Sequence, residues 1–350
     1  MATPGLRPLA ISMGEPAGIG TELLYKAYRA LCGEGLCFFT IDDPERLAVL
    51  PQTLTGGIDV VAIKAPSEAA SAFKHGLPVL SLPQHTRARL GGVVPGKPSA
   101  ATASAVIGSI EAGVAVCANG DTGGLVTLPI QKSTLQKTGF SFPGHTEFLG
   151  DLTASLPLPQ GDVRGPVMML AAGDFRTVPL TVHVPIRDVP VSIRRELIVE
   201  RCLVTAQALV RDFGIASPRL AIAGLNPHAG EDGTMGMEDR DVIAPAIADL
   251  RAAGVDAIGP LPADTMFHAE ARAQYDAALA MYHDQALIPI KTVAFHDAVN
   301  VTLGLPIVRT SPDHGTGLDI AGQGIARPDS LIAAIRMAAA MASAREALRA

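Results

Sequence analysis

Nine histidines punctuate this 350-residue chain, and four of them stand in loops whose neighbours suit chemistry better than packing. His228 lies in Asn226-Pro227-His228-Ala229-Gly230-Glu231-Asp232-Gly233, directly after the apolar run Leu220–Leu225. His283 lies in Met281-Tyr282-His283-Asp284-Gln285, after another apolar run. His183 sits in Thr181-Val182-His183-Val184-Pro185, and His145 in Pro143-Gly144-His145-Thr146-Glu147. A lone loop histidine is ordinarily structural, whereas several neutral imidazoles gathered by folding would bind a divalent transition metal and leave positions open for substrate. Asp284, Glu231 and Asp232 stand where carboxylates could orient those rings. Spacing by itself leaves both readings open.

Two further groups carry polar chemistry. Lys291, Asn300 and Arg309 fall close together in a stretch with few other cations, and both cations end apolar segments. Burying either one costs roughly several kcal/mol unless a carboxylate or an anionic ligand pairs with it, so an internal salt bridge and an anion pocket compete. Arg309 suits the bidentate contact that carboxylate or phosphate offers. The run Thr310-Ser311-Pro312-Asp313-His314-Gly315-Thr316-Gly317-Leu318-Asp319-Ile320-Ala321-Gly322-Gln323-Gly324 would wrap a nucleotide, with backbone N–H groups and hydroxyls on phosphate or ribose and Asp319 available to a ribose hydroxyl. Met13-Gly14-Glu15-Pro16-Ala17-Gly18-Ile19-Gly20 is a second glycine-rich loop, but its spacing matches neither the Rossmann fingerprint nor the P-loop.

The elements that must hold these loops read as α/β. Short apolar runs ending in Gly, Asn or Asp alternate with longer Ala- and Leu-rich stretches, the pattern of a largely parallel sheet covered by helices. Strands are predicted at Pro8–Met13, Leu36–Ile41, Val60–Ile63, Gly124–Leu128, Val167–Ala171, Leu220–Gly224, Leu279–Met281, Ala286–Thr292 and Leu305–Thr310. Helices are predicted at Ile19–Leu31, Ser99–Cys117, Arg194–Phe213, Val242–Ala253 and Ser330–Ala344. At roughly 150 residues per domain the length suggests two domains. The net charge of −6, from 28 Lys plus Arg against 34 Asp plus Glu, excludes a non-specific nucleic-acid or anionic-membrane binder. The apolar runs Val114–Ala118, Met168–Ala172 and Leu220–Leu225 are too short to span a bilayer. No secretory signal is read near Arg7, and four scattered cysteines without Cys-x-x-Cys spacing suit reduced thiols, so the expected location is cytoplasmic.

These segments, with Gly259-Pro260-Leu261-Pro262-Ala263-Asp264-Thr265 and Asn300-Val301-Thr302-Leu303-Gly304-Leu305-Pro306, closely resemble the 4-hydroxythreonine-4-phosphate dehydrogenase family of pyridoxine phosphate biosynthesis. The resemblance runs from about Leu9 to Ala338. It implies the fold of the isocitrate and isopropylmalate dehydrogenases: two α/β/α domains with a cleft between them, in a homodimer with the active site at the subunit interface. It divides the chain into a discontinuous cofactor-side domain, 1–141 plus 285–350, and a central domain, 142–284, with the metal ligands and dimer contacts.

Family roles follow by position. His183, His228 and His283 resemble the three ligands of one divalent ion (Zn, Mg or Co), His283 coming from the other subunit. His145, Thr146, Lys291, Asn300 and Arg309 resemble the substrate-binding set, and His314, Gly315, Thr316 and Asp319 the loop that binds NAD or NADP. The implied reaction is oxidation of 4-phosphooxy-L-threonine and decarboxylation to 3-amino-2-oxopropyl phosphate, the metal polarising the hydroxyl and then stabilising the enolate. Lys291, or a water held by Asp284, is the candidate for proton transfer. Glu15, where the family commonly has Asp, and Gln131, where Asn is usual, each lengthen a side chain by one methylene, and His296 and Asp297 stand beside the cation set. Sister dehydrogenases acting on threonate or erythronate 4-phosphate, or on an aromatic cis-dihydrodiol dicarboxylate, are the nearest alternatives. A metal-dependent hydrolase or aldolase would leave the His314–Gly324 loop without a task.

Overall fold

The computed structural model describes residues 7–349. Its strands are β1 (Leu9–Ser12), β2 (Phe38–Asp42), β3 (Val60–Ile63), β4 (Leu77–Ser81), β5 (Gly124–Thr127), β6 (Val167–Ala172), β7 (Phe175–Pro179), β8 (Arg219–Ala223), β9 (Asp256–Leu261), β10 (Ala277–Ala280), β11 (Val299–Leu303) and β12 (Arg309–Pro312). The chain divides into two compact units, one running to Pro157 and resuming over Pro306–Ala347, the other covering Leu158–Leu305.

In the first unit the strand order is β3-β4-β2-β1-β5-β12, and every pairing is parallel. A parallel sheet is covered on both faces, so its strands need apolar residues without alternation. Leu9, Ala10 and Ile11 of β1 and Leu125 and Val126 of β5 accordingly have essentially no exposed surface. Helix Ala103–Ala118 packs on β1, β2 and β5, while helix Asp329–Ala347 packs on β12, β5 and β1. The segment Ala100–Ala118 has the length and apolarity to cross a membrane, yet Ala105, Val106, Ile110 and Val114 face this sheet and make it a core helix.

The second unit is mixed, in the order β11-β6-β7-β10-β8-β9. β6 pairs antiparallel with both β11 and β7, whereas β7, β10, β8 and β9 run parallel. Leu170, Phe175, Ala280, Ala286, Leu287 and Ile290 form one buried cluster, and Ala221, Ala223, Met266, Tyr275 and Ala278 another.

The expected α/β architecture is what the chain adopts, with departures among the elements. Ala286–Thr292, predicted as a strand, lies inside helix His283–Ala294. Pro289 within an apolar run disguised a helix whose buried residues Ala286, Leu287 and Ile290 form one stripe. The strand expected from Leu305 begins only at Arg309. Strands β4, β7, β9 and β11 carried no clear signal; β4, β7 and β9 each contain a proline. The units also change over at Pro157 and Leu305, not near residues 141 and 284. Helix His145–Leu152 packs on helix Ala103–Ala118 and so joins the first unit, and helix His283–Ala294 packs on β6, β7 and β10 and so joins the second. All four cysteines are free thiols.

Candidate active site

In the first unit β1, β5 and β12 are neighbours, so their carboxyl ends deliver three loops side by side, where ligands bind in parallel sheets. The loops are stitched by backbone bonds: Glu15 N donates to Pro129 O at 2.8 Å and Ile19 N to Thr316 O at 2.9 Å. Gly14 has φ +65°, and a Cβ there would lie 2.6 Å from Leu128 Cβ. A Cβ on Gly18 would lie 2.7 Å from Thr316 O, so the two glycine-rich loops can touch only without side chains.

Helix Gly20–Leu31 fixes the far end of the Thr310–Gly324 loop. The buried Glu22 carboxylate accepts from Gly324 N at 3.2 Å and Ala326 N at 2.9 Å, and Lys26 Nζ donates to the carbonyls of the same two residues. Beside this clamp lies a cavity of about 290 Å³, bordered by Gly18, Thr21, Asp43, Arg46 and Gly322. Of the residues expected to bind the cofactor, Thr316 is buried with Oγ1 donating to Gln131 Oε1 at 3.2 Å, while Gly315 and Asp319 are exposed. His314 Nδ1 lies 2.8 Å from Gly315 O, and its Nε2 is buried without a hydrogen-bond partner. Glu22, Lys26 and Gln131 were not assigned roles by sequence reasoning; the acidic residue in the first turn after a glycine-rich loop was the available signal for Glu22.

The same unit holds a polar corner. Arg309 opens β12, is only 2% exposed, and donates from Nη2 to Thr127 Oγ1 at 2.6 Å. Burial pushes its guanidinium down to about 9. His145 begins helix His145–Leu152; its Nε2 is buried and unpartnered. Burial first, and then the charges of Arg309 and Lys132, hold its pKa well below the ordinary 6.5, so the ring is neutral. Thr146 is half-buried beside it in sequence.

In the second unit β7, β10 and β8 are adjacent and parallel, and each ends in a loop that bears one histidine: His183, His283 and His228 in that order. The loops are tied together. Thr181 Oγ1 donates to Met281 O at 2.8 Å, Met281 N donates to Gln285 Oε1 at 2.7 Å, and Gln285 Nε2 donates to Gly224 O at 2.8 Å. Gln285 was given no role in the sequence, where it stood only as a neighbour of His283 ahead of a predicted strand. The rings of His183 and His283 lie 6.2 Å apart between centroids. His283 Nδ1 is 2.7 Å from Asp284 Oδ1, a contact that leaves Nε2 free to ligate.

His228 is presented by an unusual turn. His228, Ala229, Gly230, Glu231 and Asp232 all have positive φ, between 41° and 80°. A left-handed conformation costs about 1–2 kcal/mol per non-glycine residue. Among the described residues no three His, Cys, Asp or Glu side chains gather closely enough to hold an ion within one chain. The donor types nevertheless suit a transition metal, with an imidazole standing after each of three adjacent parallel strands. Lys291 is half-buried on helix His283–Ala294, and Asn300 half-buried on β11 opposite Leu170.

The enzyme named 4-hydroxythreonine-4-phosphate dehydrogenase from Caulobacter vibrioides is 56% identical over 97% of this chain and 98% of its own length. A crystal structure of the enzyme of that name from Klebsiella pneumoniae superposes with TM-score 0.83 at 33% identity, covering 96% of this chain and 99% of that one. A terephthalate 1,2-cis-dihydrodiol dehydrogenase from Burkholderia xenovorans is more distant, at TM-score 0.63 and 26% identity over 96% of this chain and 98% of that one. The class is thereby set: the chain is an oxidoreductase, a dehydrogenase of a kind that works with a nicotinamide cofactor. Residues 38–338 match the family model described as pyridoxal phosphate biosynthetic protein PdxA, and the chain belongs to that family.

Proposed function

We propose that the chain catalyses NAD-dependent oxidation and decarboxylation of 4-phosphooxy-L-threonine to 3-amino-2-oxopropyl phosphate, in the cytoplasm, as a homodimer with its active site at the subunit interface. The observation that carries this reading is the polar corner of the first unit. A buried arginine beside a neutral, unpartnered histidine nitrogen suits a phosphorylated substrate, in a chain 56% identical to a relative named for that substrate.

His145, Thr146, Lys291, Asn300 and Arg309 form the substrate set in this reading. Arg309 neutralises an anionic group, and His145, a neutral ring, donates or accepts at Nε2 without competing charge. His183, His228 and His283 hold a divalent ion, with His283 offered by the second copy. That ion supplies Lewis acidity at the hydroxyl being oxidised and at the oxygen that gathers charge on loss of carbon dioxide. Asp284 fixes the tautomer of His283, and Lys291 or a water on Asp284 moves the proton. The loop bearing His314, Gly315, Thr316 and Asp319 takes the nucleotide. Support for the dimer comes from Ile288 on helix His283–Ala294 and Phe295 directly after it, seven residues apart and 62% and 68% exposed.

The test is direct. Purified protein given NAD, a divalent metal and 4-phosphooxy-L-threonine should produce NADH, and chelation should abolish the signal until metal is restored. Turnover of threonate 4-phosphate with none of 4-phosphooxy-L-threonine would transfer the assignment to a sister enzyme.

A further inference from the structure

The left-handed turn at His228 must be held by something, because four of its residues are not glycine. Asp239 grips the backbone at its entry. It is 1% exposed and begins a π-helical turn, Asp239–Ile243, that leads into helix Ala244–Ala252. Its Oδ1 accepts from Leu225 N at 2.8 Å, and its Oδ2 accepts from Asn226 N at 3.2 Å and from Asn226 Nδ2 at 2.8 Å. The same Asn226 amide also donates to Glu238 Oε2 at 2.8 Å. The carboxylate is seated against bare backbone: a Cβ on Gly224 would lie 2.6 Å from Oδ1, and one on Gly230 would lie 3.1 Å from Oδ2.

We propose that Asp239 is a positioning residue, whose buried carboxylate holds the left-handed turn that presents His228 to the reaction site. This rests on the reading of His228 as a metal ligand. Two backbone donors and one side-chain donor converge on one anion, which suits a carboxylate and no neutral side chain of the same size. Residues 225 and 226 are thereby fixed directly before the turn, so Pro227 and His228 leave β8 in one direction only. A relaxed turn would return to right-handed geometry and carry the imidazole away.

Asp239→Asn keeps the volume but turns one acceptor into a donor facing an N–H group. Expected are a retained circular dichroism spectrum, amide hydrogen exchange at Leu225 and Asn226 at least about tenfold faster, and cobalt(II) affinity lower by about 10- to 100-fold. Adding Glu231→Gly, which places glycine at φ 41°, should recover part of that affinity, since glycine removes the strain at one of the four non-glycine left-handed positions. Asn226→Ala removes one of the three bonds and carries the same expectation at about threefold amplitude, which covers the case of Asp239→Asn failing to fold. Unchanged exchange and cobalt affinity in Asp239→Asn overturn the proposal, as does a loss that glycine does not recover. Equal cobalt affinity in the native protein and in His228→Ala overturns the ligand reading itself, a result obtained without touching Asp239.

Discussion

His145 joins charge, burial and function in one ring. Its pKa lies below the unfolded value of about 6.5, so the unfolded chain takes up a proton that the folded chain refuses as pH falls. Stability associated with this ring is complete above the unfolded value and declines below it, with a slope of at most about 1.4 kcal/mol per pH unit. His145→Asn should therefore flatten the acid limb of the stability curve between pH 6.5 and 5 in chemical denaturation, and it should also raise KM for the phosphorylated substrate. An unchanged acid limb would falsify the neutral-ring assignment. Arg309 could be singled out from the sequence because a cation at the end of an apolar run needs a reason. The low pKa of His145 could not, since it depends first on burial and then on the charges of Arg309, some 160 residues away, and Lys132, all of which only the fold supplies.

At the scale of elements, the far end of the Thr310–Gly324 loop is shaped by helix Gly20–Leu31. Glu22 and Lys26 sit one turn apart, and between them they take both the N–H groups and the carbonyls of Gly324 and Ala326. Glu22→Gln presents an amide to those N–H groups. It should cost about 1–3 kcal/mol of stability and raise KM for the nicotinamide nucleotide about tenfold, with KM for the phosphorylated substrate unchanged. Initial-rate kinetics with each substrate varied in turn separates the two. The strands that flank this site were legible because β1 and β5 are uninterrupted apolar runs. Helix His283–Ala294 was misread because periodicity over the seven residues Ala286–Thr292, a short apolar run with a proline inside it, cannot tell a strand from a helix.

For the whole molecule, the alternation of apolar runs and Ala- and Leu-rich stretches made the α/β class legible, but which unit each helix joins depends on the sheet it covers. Association is a property of this scale too. If Ile288 and Phe295 lie on the dimer face, Ile288→Asp with Phe295→Asp should halve the mass seen in sedimentation and abolish turnover while leaving each chain folded. A dimer that survives both charges would move the interface elsewhere. One more consequence concerns cooperativity. Gln285 is a single primary amide with its oxygen on Met281 and its nitrogen on Gly224, so two histidine loops share one fastener. They should open as one unit of local unfolding, and a disturbance felt at either strand end is then shared by both imidazoles at once.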